Sequence, residues 1–225
     1  MGEWIPLYIN PSNLKVSVLG GGRLGTRRAL HFCRAGAQVR VYSLDFSEEL
    51  VRAQCEGLEL IEADLSREEA LRAAIEWANL VVIATGDREV DGRASRLALS
   101  MRKLVNNGVD ALSGNVIVPF SGETSYGLKF AVTSLGATGI AARQARDMVF
   151  EVLEDNTYIR TLYRVMARIK RWLKSNIPNA KERLPLYFIV EEDKEFVKLV
   201  GEGREEEAFE RAIAVVMEEL SQARG

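Results

Sequence analysis

Short apolar runs alternate with longer amphipathic stretches over residues 14–112. The runs predict strands at Leu14–Leu19, at Val39–Val41, at Leu58–Ile61 and at Leu80–Thr85. The amphipathic stretches predict helices at Leu24–Ala35, at Ser66–Ala78 and at Gly92–Asn106. Gly36 ends the first of these helices, and Ser66 to Glu69 has the pattern of a capping box. Strands that alternate with helices of this length predict an α/β fold with a parallel sheet.

The pattern changes after residue 112. Val116–Phe120 and Leu128–Thr133 predict two further strands, which the turn-rich residues Ser121–Ser125 join. A helix is expected at Gly139–Glu154, and residues 155–225 read as almost entirely helical, with breaks at Pro178 and Pro185.

Charge divides the helical tail into two blocks. Residues 160–183 carry a net charge of +7, and residues 191–219 carry −7. Two interpretations stay open: solvated helix faces that attract each other, or a basic helix that meets a polyanionic ligand.

A glycine-rich turn directly follows the first predicted strand. Gly20, Gly22 and Gly25 form G-x-G-x-x-G at the start of a helix. The first glycine permits the tight turn, the second lets the backbone approach a pyrophosphate, and the third lets helix and strand pack closely. The helix N-terminus adds free N–H groups and the positive end of its dipole. This placement predicts a dinucleotide site.

The second predicted strand leads to the expected ribose ligand. Asp45 lies 20 residues after Gly25, although it falls slightly late for the strand end. An acidic residue there favours NAD over NADP, and a surface-loop aspartate is the competing interpretation. The residues predicted to bind the cofactor are Gly20, Gly22, Arg23, Leu24, Gly25, Leu44, Asp45 and Thr85.

Composition excludes several other classes of protein. The 225 residues have a net charge of −2, which argues against a protein that mainly binds nucleic acid. One His and two Cys are too few for a Cys₄ or Cys₂His₂ zinc site, so no metal site is predicted. A disulfide scaffold is not expected. Cys33 is predicted to be a small core residue, and no residue near Cys55 in the sequence suggests an activated thiol. Without a membrane-length apolar run or signal-peptide features, the prediction is a cytoplasmic protein.

Several segments, in order along residues 5–155, resemble one known family. They are Pro6-Leu7-Tyr8-Ile9 with Leu14-Lys15-Val16, Gly20 to Arg28, Arg34 to Val39, Ala84-Thr85-Gly86-Asp87, Asn107-Gly108-Val109-Asp110, Val116-Ile117-Val118-Pro119, and Ala131 to Gly139 with Arg143. Together they resemble the precorrin-2 dehydrogenase, or sirohydrochlorin-forming, domain of siroheme synthases.

The resemblance implies a fold and an activity. The fold is a Rossmann-type parallel sheet, then a small dimerisation region of crossed strands and a helical C-terminal domain, at residues 1–112, 113–155 and 156–225 of a homodimer. The activity is the NAD-dependent oxidation of precorrin-2 to sirohydrochlorin. Some relatives also insert ferrous iron to give siroheme.

The resemblance also implies functional residues. Asp110 matches the family's essential acidic residue, which would accept the proton that dehydrogenation releases. Without the family, Asp110 is an acid at the carboxyl edge of the sheet, where such folds place ligands. Ser134, Thr138 and Arg143 fall in or near the family's substrate-pocket loop. Arg164 and Arg168, in the basic block, have a plausible target in the acetate and propionate groups of precorrin-2.

This sequence departs from the family pattern in places. Leu135 replaces a glycine and Gly139 replaces a proline in the pocket loop. Two other readings remain open: a non-catalytic NAD(H)-sensing regulatory module, and a family member whose main activity is iron chelation.

Overall fold

Five parallel strands form the sheet that the apolar runs predict. The computed structural model describes residues 3–222; residues 1, 2 and 223–225, which the predicted first and last domains include, lie outside the described residues. The strands are β1 (Lys15–Leu19), β2 (Gln38–Ser43), β3 (Leu58–Glu62), β4 (Leu80–Ile83) and β5 (Leu104–Asn107). Their order in the sheet is β3-β2-β1-β4-β5. The α/β prediction is confirmed.

Four helices cover the two faces of this sheet. They are α1 (Arg23–Arg34), α2 (Glu48–Val51), α3 (Glu68–Trp77) and α4 (Arg88–Ser100). Ala29 of α1 and Leu50 of α2 pack with Val16 and Val18 in one apolar cluster. Residues of α3 and α4 pack in a second cluster with Leu19, Ile83 and others. Because β4 is buried from both sides, its sequence lacks the polar alternation of a half-exposed strand. β1 is also buried after Lys15, and its buried Ser17 donates a hydrogen bond to the carbonyl oxygen of Ala74 at 2.6 Å.

Two local predictions in this region are wrong. The helix predicted at Gly92–Asn106 ends at Ser100, since Arg102 adopts a left-handed backbone conformation with φ of 56°, and Leu104–Asn107 instead forms β5 beside β4. The capping box also fails. Arg67 is the N-cap residue of α3, and the Ser66 hydroxyl donates to Asp64 Oδ1 at 2.6 Å.

The two cysteines form a disulfide, contrary to the expectation that they are not bridged. Cys33 on α1 is bonded to Cys55, 22 residues later, with their Cα atoms 6.3 Å apart. Cys33 is also part of the core, as predicted. The fold brings α1 against the loop before β3, and sequence spacing does not show this proximity. The cytoplasmic location stays a prediction.

The remaining described residues, up to Gln222, form a hairpin and five helices. The antiparallel strands are β6 (Phe120–Glu123) and β7 (Lys129–Val132), and the helices are α5 (Gly139–Asp155), α6 (Thr157–Asn176), α7 (Ala180–Glu192), α8 (Lys194–Gly201) and α9 (Glu205–Gln222). The predicted turn at Ser121–Ser125 is therefore shifted, because β6 begins at Phe120. Pro178 separates α6 from α7 as expected, whereas Pro185 lies inside α7.

The charged blocks of the tail pair with each other. Arg164 of α6 lies 2.9 Å from Glu205, and Arg168 binds both carboxylate oxygens of Glu206 at 2.7 and 2.8 Å. Arg168 also stacks on the ring of Phe209 at 4.2 Å. Attraction between helix faces therefore accounts for both arginines, and the expectation that they await substrate carboxylates is not supported.

The described residues group into two units. The first contains residues up to Pro119 together with Thr133–Gly139, and the second contains Phe120–Val132 with the residues from Ile140 onward. The predicted three-domain division stays a prediction. Among the helices within residues 3–222, none has the length and apolar character that a membrane crossing needs.

Candidate dinucleotide site

The glycine-rich turn lies where the order of the strands reverses. Within the first unit, β1 has β2 on one side and β4 on the other, so chain connections leave this point in opposite directions. Open parallel sheets bind ligands at such a switch point, beyond the carboxyl ends of the strands. Gly20 directly follows β1, and its backbone lies against Ala84, which directly follows β4.

Three glycines of this turn have no room for a side chain. Gly20 has a φ of 111°, and a Cβ atom on it would overlap the carbonyl oxygen of Ala84. A Cβ on Gly21 would overlap the carbonyl oxygen of Asp45, and one on Gly25 would overlap that of Gly20. The fold itself therefore requires these three glycines.

Gly22 differs from its neighbours because no atom lies within 4 Å of a Cβ built on it. It is the N-cap residue of α1, with extended backbone angles. The first N–H groups of a helix have no partner within the helix and favour an anion. The combination of open space at Gly22 and an uncapped helix start fits the pyrophosphate of a dinucleotide.

A cleft of about 460 Å³ extends from the turn. It is lined by Gly20, Gly21, Gly22, Ser43, Leu44, Asp45, Phe46, Ser47, Ala63, Asp64, Leu65, Ser66, Thr85, Asp87 and Val90. The predicted residues Leu44, Asp45 and Thr85 are among these. Asp45 lies two residues beyond β2 and is exposed.

Three predicted cofactor residues, Arg23, Leu24 and Gly25, are not among the residues that line the cleft. Gly25 instead packs against the backbone of Gly20. Arg23 and Leu24 are the first residues of α1, and they line a separate concavity with Arg27 and Arg34 on the outer side of that helix. Their backbone N–H groups belong to the helix start, but their side chains are not part of the cleft wall.

The wall of the cleft that follows β3 has no counterpart among the predicted site residues. Asp64 and Ser66 line the cleft there, and hydrogen bonds from Ser66 lower the pKa of the Asp64 carboxyl. The available signal was their position after the third predicted strand, because the carboxyl ends of parallel strands meet at one edge.

Thr85 is held by a buried carboxylate. Its hydroxyl donates to Asp91 Oδ1 at 2.6 Å, and its backbone N–H donates to the same oxygen at 3.2 Å. Asp91 is 4 % exposed. Asp87 caps α4 by accepting from Glu89 N and Val90 N. These bonds fix the backbone that leads from β4 into α4 along the cleft.

Asp110 belongs to a loop that packs on the start of α1. A Cβ on Gly108 would overlap the side chain of Leu24, so the loop after β5 packs directly on the first turn of the helix. Asp110 is exposed, and its Oδ1 accepts from Leu112 N at 3.2 Å. The loop that carries Asp110 therefore packs on the helix that follows the glycine-rich turn.

The substrate-pocket loop reaches the same region. A Cβ on Gly136 would lie 2.9 Å from the Cβ of Ala111, the residue after Asp110. The Ser134 hydroxyl donates to Thr138 O and accepts from Thr138 N, both at 2.9 Å, so it closes the loop on itself. Leu135 has a φ of 53°, in the left-handed region that favours glycine.

Arg143 belongs to α5 in the second unit and is exposed. Its proposed contact with substrate stays a prediction.

A family model of NAD(P)-binding domains matches residues 7–120, about half of the chain. The chain belongs to this NAD(P)-binding family. The match covers β1 to β5 together with the glycine-rich turn and Asp110, so the predicted dinucleotide chemistry is confirmed at the level of the family.

Curated relatives of this NAD(P)-binding protein include precorrin-2 dehydrogenases and siroheme synthases, the family that the sequence motifs resemble. A chain from Methanosarcina barkeri named precorrin-2 dehydrogenase is 29% identical over 217 residues, with 95% of this chain and 94% of that one covered. A chain from Methanocaldococcus jannaschii, also named as a precorrin-2 dehydrogenase, is 29% identical over 196 residues, with 85% and 92% covered. A siroheme synthase of Methylobacillus flagellatus is 30% identical, but only 37% of its length is matched. The resemblance is confirmed.

A solved structure supports the fold over nearly the whole chain. The structure described as SirC, precorrin-2 dehydrogenase, has a TM-score of 0.66 and 21% sequence identity, with 94% of this chain and all of that one covered. It shares the Rossmann-type sheet and the helical C-terminal region.

Proposed function

We propose that this protein is a precorrin-2 dehydrogenase that uses NAD to produce sirohydrochlorin. The observation that carries the proposal is the glycine-rich turn, with the loop of Asp110 packed on the first turn of the following helix, in a chain that matches two precorrin-2 dehydrogenases over 92% and 94% of their lengths. When bound, NAD supplies the two-electron oxidant.

The chain's own residues hold the cofactor and receive the proton. Gly22 and the first turn of α1 would accommodate the pyrophosphate, and Asp45 would bind the adenosine ribose. Asp110 would take the proton that the macrocycle loses, because the carboxylate is exposed and Oδ2 accepts no hydrogen bond within residues 3–222. A positioned base contributes about 10²–10⁴-fold to the rate.

The lining of the cleft favours NAD over NADP. Within the described part of the chain, the lining residues include Asp45, Asp64 and Asp87 but neither Lys nor Arg. A 2′-phosphate would approach carboxylates with no cation to bind it. We therefore expect NAD⁺ to bind at least tenfold more tightly than NADP⁺, a difference of about 1.4 kcal/mol.

We also propose that the protein forms a homodimer. The exposed side of α5 includes Ile140, Met148 and Val152, whose side chains are 66–68 % exposed. Their spacing at multiples of four places them along one stripe of the helix. An apolar stripe of this kind is typical of an interface, and a second copy of the chain is the partner that the family resemblance implies.

Substrate contacts are proposed at the loop near Asp110. Thr138 at the loop end would meet a carboxylate of precorrin-2, and Ser134 would hold the loop in shape. A separate contact of Arg143 with substrate is an expectation from the family resemblance. Iron insertion and a cytoplasmic location remain expectations of the sequence alone.

The test compares wild-type protein with Asp110→Asn in the presence of precorrin-2 and NAD⁺. Asparagine keeps the size of the side chain but cannot act as the base. We expect NAD affinity to be unchanged and turnover to fall by about 10²-fold or more. Unchanged turnover in Asp110→Asn would refute the role of Asp110. A wild-type protein that binds NAD but oxidises no precorrin-2 would favour the sensing module instead.

A further inference from the structure

A buried side-chain amide at the end of β5 uses its whole hydrogen-bonding capacity. Asn107 is 4 % exposed. Its Nδ2 donates to Ser95 Oγ at 3.3 Å and to Ser113 Oγ at 2.9 Å. Its Oδ1 accepts from the N–H groups of Val109 and Asp110, both at 2.9 Å. An amide has two donors and two acceptor lone pairs, so every site is occupied.

These bonds close a ring around Asp110. The Ser113 hydroxyl, which Asn107 contacts, donates in turn to the carbonyl oxygen of Asp110 at 2.9 Å. The N–H and the C=O of Asp110 are therefore both tied, directly or through one hydroxyl, to the same amide. Ser95 lies on α4, so the ring is anchored to a helix of the first unit. The direction of the Asp110 side chain depends on this backbone geometry.

We propose that Asn107 is a positioning residue that holds the Asp110 carboxylate at the place where it receives the substrate's proton. The inference rests on the proposed function, because it assigns Asn107 an effect on the rate through Asp110. An error of about 1 Å in the placement of a reacting group can cost about 10²-fold in rate. Loss of Asn107 is expected to lower kcat by about 10- to 100-fold.

The adjacent asparagine provides a matched control. Asn106 has the same side chain, is 3 % exposed and also lies on β5. Its Nδ2 donates to the carbonyl oxygen of Val116 at 2.9 Å, and it makes no hydrogen bond to residues 108–113. Asn106→Ala removes a buried amide of the same size without releasing Asp110.

The experiment measures three quantities in wild type, Asn107→Ala, Asn107→Asp and Asn106→Ala. These are the amide hydrogen-exchange rates of Val109 and Asp110 in the free protein, the dissociation constant of NAD⁺, and kcat and KM with precorrin-2. Asn107→Asp keeps an oxygen that can accept both N–H groups, so it tests rescue. It is also a second variant to compare with wild type if the alanine variant is too unstable to study.

We expect the amide hydrogens of Val109 and Asp110 to exchange faster in Asn107→Ala than in wild type, and kcat to fall by about 10- to 100-fold. NAD affinity and KM should stay within about twofold of wild type. Asn107→Asp should restore slow exchange and recover part of kcat, whereas Asn106→Ala should keep wild-type kcat. Equal kcat in the two alanine variants would overturn the inference, as would restored protection in Asn107→Asp with kcat no higher than in Asn107→Ala. Wild-type protein without precorrin-2 turnover would instead overturn the proposed function.

Discussion

Gly22→Ala separates the structural role of the glycine-rich turn from its role in binding. No atom lies within 4 Å of a Cβ at this position, and its φ of −74° suits alanine. Alanine is a poorer N-cap than glycine, by about 0.5–1 kcal/mol. Reduced freedom of the unfolded chain offsets this by about 0.4–1 kcal/mol. The unfolding free energy should therefore change by less than about 0.5 kcal/mol.

NAD binding should respond quite differently to Gly22→Ala. The methyl group would occupy the open space in which the motif places the pyrophosphate. We expect at least a tenfold increase in the dissociation constant of NAD⁺, equivalent to about 1.4 kcal/mol. Gly25→Ala is the comparison, because its Cβ would overlap the backbone of Gly20. Overpacking against backbone costs about 1–3 kcal/mol, so this variant should lose stability as well as affinity.

Urea unfolding of the free proteins and calorimetric titration with NAD⁺ measure the two effects. We expect Gly22→Ala to unfold like wild type but to bind NAD⁺ weakly. Gly22→Ala with wild-type stability and wild-type affinity would show that the open space is not where the dinucleotide lies.

Three further predictions concern stability and substrate binding. Cys33→Ser opens a loop of 22 residues and should cost about 3 kcal/mol in the unfolding free energy, whereas no change would argue against the disulfide. Arg164→Ala with Arg168→Ala should leave KM for precorrin-2 unchanged, since both side chains pair with glutamates; an increased KM would revive the basic-helix hypothesis. Hydrogen bonds from Arg211 lower the pKa of Asp193 below its ordinary value of 3.8. The ionised carboxylate therefore stabilises the fold at pH values above 3.8, and this stabilisation is lost as the pH falls through the lowered pKa. Asp193→Ala, which also removes the cap of α8, should cost about 2 kcal/mol at neutral pH and flatten the acid limb of a pH–stability curve.

Local signals predicted the sheet and its turn well. The apolar positions located β1 to β4. β4 is continuous in apolar residues because both of its faces are buried, whereas β2 and β3 alternate apolar and polar residues. The glycine spacing located the turn because each close backbone approach excludes a side chain. The resemblance selected Asp110, and the structure places its loop beside α1.

Features that depend on tertiary contacts were not predictable in this way. Cys33 and Cys55 meet because α1 packs against the loop before β3. Pro185 stays inside α7 because Leu186 and Val190 are buried beside it, and that packing outweighs the local cost of about 3 kcal/mol. The sequence shows the two charge blocks of the tail but not which residues pair, because the pairing of Arg168 with Glu206 depends on how α6 and α9 pack.

The most direct test of the central claim is a stoichiometric oxidation. Precorrin-2 is incubated anaerobically with the protein and NAD⁺, and the absorbance of reduced nicotinamide is recorded together with that of sirohydrochlorin. Transfer of a hydride from the substrate to NAD⁺, with release of one proton, predicts one reduced nicotinamide for each sirohydrochlorin formed, and a much slower reaction with NADP⁺. A protein that binds NAD⁺ but yields neither product would contradict the account.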